Sequence, residues 1–532
     1  MDRIKSRRVK GARGQRGKLL RKPFFISLLA IIALSACAPA KTFKADNNYV
    51  YSAEKITYGK AYLEIKDNTY LLHLKGSHHE MGYQYGKLLG YKFDDTLRAF
   101  ESLFPKIPLG SFGRWLLNRY VYYKAGKIEK YVPAEYIEEM KGMADSFKDY
   151  NPDYRILLFF HVLHDIGHNF ASSAFAVSKN AAPDGKLLIG RNADLGNRGT
   201  FDNLKTIVFY EPDKGNSFLS VCWPAMVGVI SGMNDKGIVV SVMSSRSTDV
   251  SMEGMPISFL LKMILQYANT IDEAIKIISE TPRMSSSSII IGDGKNNEVV
   301  VVEASARKMA VRKSERGVIF QTNHYVSEIY KDDTKNIIAR DKGDSMPRFK
   351  RLEKLITENY GRITKEKVIE FLRDHKDINN RRLPFREKGA INRIDTSYSI
   401  LFSPSELRFY LAKPPGAYGR FMAFDLKGRI DGADYPEDTY IKTDAFKYEL
   451  LSEDALIEAE DFISEGYLPE AVDQLKRAIT YQPDNYFAYK LLGDIYLRNG
   501  LYKEAEDEYK KILEIEPPNT EIIEENRKGL KK

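Results

Sequence analysis

The chain has 532 residues, 43% hydrophobic, 29% charged and 12% aromatic, an ordinary globular composition with length for more than one domain. Its formal charge of +9 invites a nucleic-acid reading, yet residues 1–36 hold ten of the 81 basic residues and one of the 72 acids. The remainder carries 71 of each sign, so its net charge is zero and nucleic acid drops out as a partner.

Arg3 to Lys22 is strongly basic. Pro23 to Ala36 is an apolar run, shorter than the roughly 20 residues that span a bilayer. It ends in Leu34-Ser35-Ala36-Cys37, and small residues before a cysteine at the end of such a core resemble the lipobox of bacterial lipoproteins. The resemblance implies a signal peptide at 1–36, thioether lipidation of Cys37, and acyl chains that hold an exported protein to a membrane. Ala38 gives no inner-membrane retention signal, so in a Gram-negative source the outer membrane or periplasm is the expected location. Residues 37–52 read as a polar tether. Cys222 is the other cysteine, which leaves no second disulfide partner and no Cys-rich metal site. It lies in the apolar run Phe218 to Trp223 and reads as a buried thiol in a strand.

Ala61 to Leu74 alternates and breaks at Asp67-Asn68, which predicts a hairpin. Helical patterns follow at Met81 to Leu103 and Ala134 to Phe147. From about Ser173 the texture turns to strands: Phe175 to Val177, Lys186 to Gly190 after the turn Pro183-Asp184-Gly185, Thr206 to Tyr210, Phe218 to Trp223, Val227 to Ser231, Gly237 to Val242, Ser288 to Ile291, Val299 to Glu303 and Val318 to Gln321. Helices are expected at Ile257 to Tyr267, from the capping pattern Thr270-Ile271-Asp272-Glu273, at Ser345 to Asn359 and at Thr364 to Asp374. Late strands are expected at Ser397 to Phe402 and Leu407 to Leu411. Many strands with inserted helices mean a layered α/β protein. Further on, Ala459, Ala471 and Pro483 recur 34 residues later as Gly493, Ala505 and Pro517. That spacing fits tetratricopeptide repeats over 450–532, with Thr520 to Lys532 as a partial cap. Two repeats fall below the three usually needed to stand alone, so they are expected to lean on the rest of the chain or on a protein partner.

Four segments carry candidate chemistry. They are Ser172-Ser173-Ala174-Phe175-Ala176-Val177 with Gly190-Arg191-Asn192-Ala193-Asp194; Gly232-Met233-Asn234-Asp235-Lys236-Gly237; Thr322-Asn323-His324-Tyr325; and Asp344-Ser345-Met346-Pro347-Arg348. Their order and spacing resemble the acyl-coenzyme A:6-aminopenicillanate acyltransferase (isopenicillin-N acyltransferase type) family of N-terminal-nucleophile (Ntn) hydrolases. Gly76-Ser77-His78-His79-Glu80-Met81-Gly82 to Gly86 resembles that family's pro-region. The resemblance implies a four-layer αββα fold, a pro-region over 53–171, a core over 172–440 and an N-acylated substrate, with no cofactor and no metal. It also implies cleavage of the Ala171–Ser172 bond, after which Ser172 supplies both the nucleophilic hydroxyl and, as α-amine, the base. An α-amine has a pKa of about 7.7–8.0, so part of it is free to take a proton near neutrality. The family has cysteine at this position, and a hydroxyl needs more help from its base than a thiol.

By the same resemblance Asp194 orients the α-amine, Arg191 lies beside the nucleophile, the Asn323 amide and the Asn234 backbone N–H form the oxyanion hole, and Arg348 pairs with acidic groups of the site. Ser173 is an alternative nucleophile. A catalytically inactive Ntn-fold binding protein that recruits partners through its repeats is the competing reading. A metal site is a third, because His161, His164, Asp165 and His168 stand at i, i+3, i+4 and i+7. That set lacks a general-base Glu, and Gly167 weakens its helix. Hydrolysis and acyl transfer share one acyl-enzyme, and pocket residues lie outside the motifs, so the substrate stays open.

Overall fold

The computed structural model describes residues 49–51, 55–101, 111–147, 153–166, 170–195, 199, 201–429 and 432–515. The expected signal peptide at 1–36, Cys37, His168 and the expected cap at 520–532 lie outside them. The chain divides into a unit of Leu20–Asp374 with Ile394–Pro436 and a unit that includes His375–Arg393 and Glu437–Lys532. Among the described residues no helix is long and apolar enough to cross a membrane.

In chain order the larger unit contains β1 (Tyr49–Tyr51), β2 (Lys55–Tyr58), β3 (Ala61–Lys66), β4 (Thr69–Gly76), α1 (His78–Leu89), α2 (Phe93–Glu101), α3 (Ser111–Glu129), α4 (Ala134–Asp145) and α5 (Tyr154–Ile166). β5 (Phe170–Lys179), β6 (Gly185–Leu195), β7 (Thr206–Pro212), β8 (Phe218–Cys222), β9 (Ser231–Asn234), β10 (Ile238–Ser244), α6 (Ile257–Tyr267) and α7 (Ile271–Glu280) come next. Then follow β11 (Ser287–Asp293), β12 (Glu298–Ala304), β13 (Met309–Lys313), β14 (Val318–Gln321), α8 (Thr334–Asp341), α9 (Ser345–Glu358), α10 (Lys365–Leu372), β15 (Thr396–Ser403), β16 (Arg408–Ala412) and β17 (Phe421–Asp425).

The strands form two sheets. One runs β1-β2-β3-β4-β7-β8-β9-β10-β11-β12-β13 and is antiparallel except where β4 pairs with β7. The other runs β14-β5-β6-β15-β16-β17. β10 packs on β5 and β11 on β6, so the sheets face each other; α6 and α7 cover the first sheet, and α9 and α10 cover the second. This is the expected αββα layering. It explains why the runs Ile289–Ile291 and Val299–Val302 are apolar without alternation: both faces of these strands are covered. Asp67 and Asn68 both take positive φ, 50° and 63°, and close the β3–β4 hairpin at the foreseen place.

Two expectations fail here. The segment Val227–Ile230 is not a strand, and β9 starts at Ser231. Its backbone is engaged elsewhere: Val227 N and Gly228 N donate to His161 Nε2 at 3.0 and 3.2 Å, and Val229 N donates to Ser258 O at 2.9 Å. The tether is also shorter than read, because Tyr49–Tyr51 pairs with β2.

The segment before Ser172 is built into the core. Helix α1 opens with a complete capping box, Ser77 with Glu80. It lies so close to α4 that a Cβ at Gly82 would stand 1.8 Å from Glu139 O and one at Gly142 2.0 Å from His79 O. Lys262 of α6 and Glu139 of α4 are both fully buried and meet at 2.6 and 2.7 Å. His78 Nδ1 lies 2.7 Å from Glu139 Oε2, and Lys262 also donates to Val227 O at 2.8 Å. Burial opposes the charge on Glu139, but Lys262 and His78 outweigh it and hold the carboxyl below its ordinary range.

The smaller unit holds two helix pairs, α11 (Asp444–Glu465) with α12 (Leu468–Tyr481) and α13 (Tyr486–Arg498) with α14 (Tyr502–Ile515). Leu456, Ala459, Ala471, Leu475, Ala478, Ala488 and Leu492 form their core. A Cβ at Gly493 would stand 2.6 Å from the Tyr509 ring, which is why a small residue recurs there. The helices start at Asp444, earlier than the expected residue 450.

Candidate active site

β5 and β6 form the centre of the site as an antiparallel hairpin. The register pairs Ser172 with Ala193, Ala174 with Arg191 and Ala171 with Asp194. Directly opposed residues share a face, so the side chains of Ser172 and Arg191 lie on one side of the sheet and that of Asp194 on the other. Ser172 is 3% exposed, and its Oγ donates to Ala171 O at 2.6 Å. Arg191 Nη2 lies 3.4 Å from the same Oγ. Among the described residues no histidine or carboxylate hydrogen-bonds it.

Arg191 comes from between the sheets. It donates to Ile230 O at 3.0 Å, Val242 O at 2.6 Å, Tyr398 Oη at 2.8 Å and Ser231 Oγ. Tyr398 donates to Ser231 Oγ at 3.1 Å, and Ser231 meets Ser241 at 2.9 Å. These partners are neutral, and burial pulls the Arg191 pKa below the usual arginine value. The guanidinium still stays charged, because arginine does not lose its proton in proteins. A buried cation with neutral partners favours negative charge developing beside Ser172 Oγ.

Arg348 comes from the other layer, on the first turn of α9. Its Nη1 donates to Ser172 O at 2.5 Å and Ser173 Oγ at 3.1 Å; its Nη2 donates to Asn323 Oδ1 at 2.9 Å and Asp344 Oδ1 at 3.0 Å. Asn323 Oδ1 also accepts Ser172 N–H at 2.9 Å, while its Nδ2 donates to Ser244 O at 2.7 Å. Two donors on one side and a carbonyl on the other fix the orientation of this amide. Ser345 Oγ holds the loop by accepting Asn323 N–H at 2.7 Å. His324 packs behind it, Nδ1 2.7 Å from Ser345 Oγ, with its pKa pushed down to about 4 by burial and by Arg348.

Ser172, Arg191, Asn323 and Arg348 are thus brought together, and Asp194 stands one residue away, opposite Ala171. The roles differ from expectation in two respects. In the uncut chain Ser172 N–H goes to Asn323, while Asp194 Oδ1 accepts from Thr396 Oγ1 at 2.8 Å. One Nδ2–H of Asn323 is given to Ser244 O, and the amide keeps a second N–H. Asn234 is not in the cluster: three residues along β9 from Ser231 is about 10 Å. Its Nδ2 donates to Leu265 O and Ala268 O at 2.9 and 2.8 Å, and its Oδ1 accepts from Lys236 N and Ile238 N at 3.1 and 2.9 Å. It closes the β9–β10 turn. Tyr398, Ser231 and Thr396 are site residues that the motifs did not reveal, since Tyr398 and Ser231 read only as part of a strand and Thr396 falls just before one.

The histidine face is structural where it is described. His161 Nδ1 donates to Leu157 O at 2.7 Å and its Nε2 accepts two N–H groups, so both ring nitrogens are engaged. Asp165 accepts from Ile257 N at the start of α6. Cys222 is buried in β8, with its thiol pushed up to about 12 by burial.

Two facing sheets between helical layers, with Ser172 on a central hairpin strand, make the four-layer αββα arrangement expected from the resemblance to N-terminal-nucleophile hydrolases. Residues 181–415 match the family described as acyl-coenzyme A:6-aminopenicillanic acid acyl-transferase, and residues 462–523 match the tetratricopeptide repeat. The chain is thus similar to that acyltransferase family over residues 181–415 and to the tetratricopeptide repeat over residues 462–523. The first match begins after Ser172 and includes Arg191, Asp194, Asn234, Asn323 and Arg348. An uncharacterized protein of Archaeoglobus fulgidus is 30% identical over 399 residues, 65% of this chain and 63% of the relative. An N-acylethanolamine-hydrolyzing acid amidase of Caenorhabditis elegans is 26% identical over 201 residues, 35% of this chain and 55% of the relative. The chain thus spans between half and two-thirds of the length of these curated relatives. The solved structure of a mutant conjugated bile acid hydrolase from Clostridium perfringens aligns with a TM-score of 0.35 at 15% identity, over 50% of this chain and 97% of that one.

Proposed function

We propose that the chain cuts itself between Ala171 and Ser172 and then acts as an N-terminal-nucleophile amide hydrolase or acyltransferase on an N-acylated small molecule, a peptide-like amide or a lipid amide. The observation that carries this reading is Ser172 Oγ, 2.6 Å from the Ala171 carbonyl oxygen, on a strand gripped from its two faces by Arg191 and Arg348. In the cut, Oγ adds to the Ala171 carbonyl carbon, the C–N bond breaks, and the departing nitrogen keeps the hydroxyl proton. Water then cleaves the ester, which leaves a carboxylate on Ala171 and a free amine on Ser172. In turnover that amine takes the Oγ proton and Oγ attacks the substrate amide. Arg191 favours the oxyanion electrostatically. The name of the C. elegans relative supports an N-acyl amide as the substrate class.

The same reading takes the protein as exported and held to the outer membrane or periplasmic face through lipidated Cys37, with a protein partner reached through residues 450–532. The test is direct. The full chain, expressed heterologously, is run on a denaturing gel and the fragments are sequenced; mass spectrometry of the first peptide reads Cys37. A new N-terminus at Ser172, lost in Ser172→Ala, supports the proposal. An uncut chain overturns it and favours an inactive Ntn-fold binding protein, a reading to which the serine in place of the family's cysteine already lends weight.

A further inference from the structure

Residues His375–Arg393 separate α10 from β15 in sequence, yet they belong to the helical unit. Within that unit they are held as a peptide ligand would be. Arg382 Nε and Nη2 reach the two carboxylate oxygens of Glu449 at 3.1 and 3.2 Å, and the guanidinium lies 3.5 Å over the Tyr440 ring. Arg386 donates to Glu453 at 2.7 and 3.0 Å and to Glu460 at 2.7 Å. Glu449, Glu453 and Glu460 stand at i, i+4 and i+11 and form one stripe of α11. Between the two arginines, Phe385 is buried with its ring against Phe446 and His375. Tyr486 of α13 donates to Glu387.

Both ends of the segment run directly into the candidate site. Before it, Leu372 O accepts from Asn192 Nδ2 at 2.8 Å. Asp374 is bound by Arg351 at 2.8 and 2.7 Å, one turn beyond Arg348 on α9. After it, Asp395 O accepts from Leu195 N at 2.9 Å, and Thr396 donates to Asp194.

We propose that His375–Arg393 is a strap: the acidic stripe of α11 reads it as a basic peptide with an aromatic anchor, and this grip, transmitted along the chain, positions Thr396 and Asp374 and through them Asp194 and Arg348. The tetratricopeptide pair then has its ligand in cis. Asp194 and Arg348 act at the site, and the strap is a positioning element. Only the activity arm of the test rests on the self-cleavage reading.

The test compares the full chain with E453Q/E460Q, which removes the two charges of the stripe that hold Arg386 and leaves the site untouched. Trypsin cutting after Arg382 and Arg386 reads the strap; amide exchange at residues 394–396 reads the site end; appearance of the Ser172 N-terminus reads function. The proposal expects strap cutting to rise by about tenfold or more, since proteolysis tracks the open population. It also expects faster exchange at 394–396 and slower self-cleavage. The first two readouts need no turnover, so an inert Ser172 would leave them intact. Strap release with unchanged exchange at 394–396 overturns the proposal. So does unchanged strap protection while circular dichroism reports intact helices. Should E453Q/E460Q lose its helices, R386K serves with the same outcomes, because it removes the planar fork without altering any helix.

Discussion

Arg348 and Asn323 share a hydrogen bond of 2.9 Å, and the oxygen that makes it also receives the Ser172 N–H. One arginine therefore fixes the nucleophile's nitrogen through Asn323 and its carbonyl directly, at 2.5 Å. Two points on one residue set the angle at which Oγ meets the Ala171 carbonyl. Arg348→Ala is expected to slow self-cleavage by about a hundredfold, the usual cost of an ångström of misplacement. Arg348→Lys should recover little, since a point charge cannot make the fork. A time course on a denaturing gel measures both; a rate like wild type in Arg348→Ala would remove this arginine from the mechanism.

Ser172 and Ser173 make opposite predictions although they are adjacent. Ser172 Oγ faces Ala171 O and Arg191, while Ser173 Oγ accepts from Arg348 across the sheet. Ser172→Cys puts the more nucleophilic thiol in the same place and should speed the cut by about tenfold or more. Ser173→Ala should still yield the Ser172 N-terminus, with less than about a tenfold loss. Cleavage that survives in Ser172→Ala and vanishes in Ser173→Ala would shift the nucleophile by one residue.

The layered fold was legible because its strands are β-branched runs covered on both faces, and because Asp67-Asn68, Thr270 and the 34-residue spacing act locally. What depends on distant backbone was not. Val227–Ile230 has the composition of a strand, yet His161, Ser258 and Lys262 take its polar groups. The partners of Arg191 are two carbonyls and three hydroxyls from five positions, and a carbonyl carries no sequence signal. Met309–Lys313 is an edge strand with two charges, which hides its period. The motif points to Asn234 because it adjoins residues that do line the site; the register puts Ser231 there instead.

Asn234 gives a check on the structural role of its side chain. Its side chain makes four hydrogen bonds inside the core, so Asn234→Ala leaves buried backbone groups unmatched and should cost about 1–3 kcal/mol. Denaturant unfolding measures the loss. Self-cleavage at a temperature where the variant stays folded should keep its wild-type rate, and a selective loss of cleavage would mean that the side chain acts beyond the turn it closes.

Lys262 and Glu139 join the segment before Ser172 to the sheet layer after it. Lys262→Met leaves a buried carboxylate with only His78 beside it and should cost about 3–5 kcal/mol. Lys262→Met with Glu139→Leu removes both charges and should regain much of that loss. Equal stability of the single and double variants would show that the pair is not coupled.

His161 predicts an acid limit on stability. Its Nδ1–H is committed to Leu157 O, so the bare Nε2 accepts both Val227 N–H and Gly228 N–H. A proton on Nε2 would face two donors. Burial, aided by Lys262, pushes the pKa down to about 4 from an ordinary value near 6.5. The unfolded chain therefore binds more protons than the folded one between about pH 6.5 and 4, and stability falls as pH drops through that window. The full contribution is present above about pH 6.5 and is on the order of 3 kcal/mol. His324, also near 4, and His73, near 3, share the same sign and cause. His161→Gln should lower stability at pH 7.5 and flatten the fall between pH 7.5 and 5, with a residual slope from His324, His73 and His375 and an opposing one from Asp165, which burial pushes up to about 7. Urea unfolding at both pH values measures this, and equal slopes in variant and wild type would mean that His161 is not the buried neutral acceptor its geometry requires.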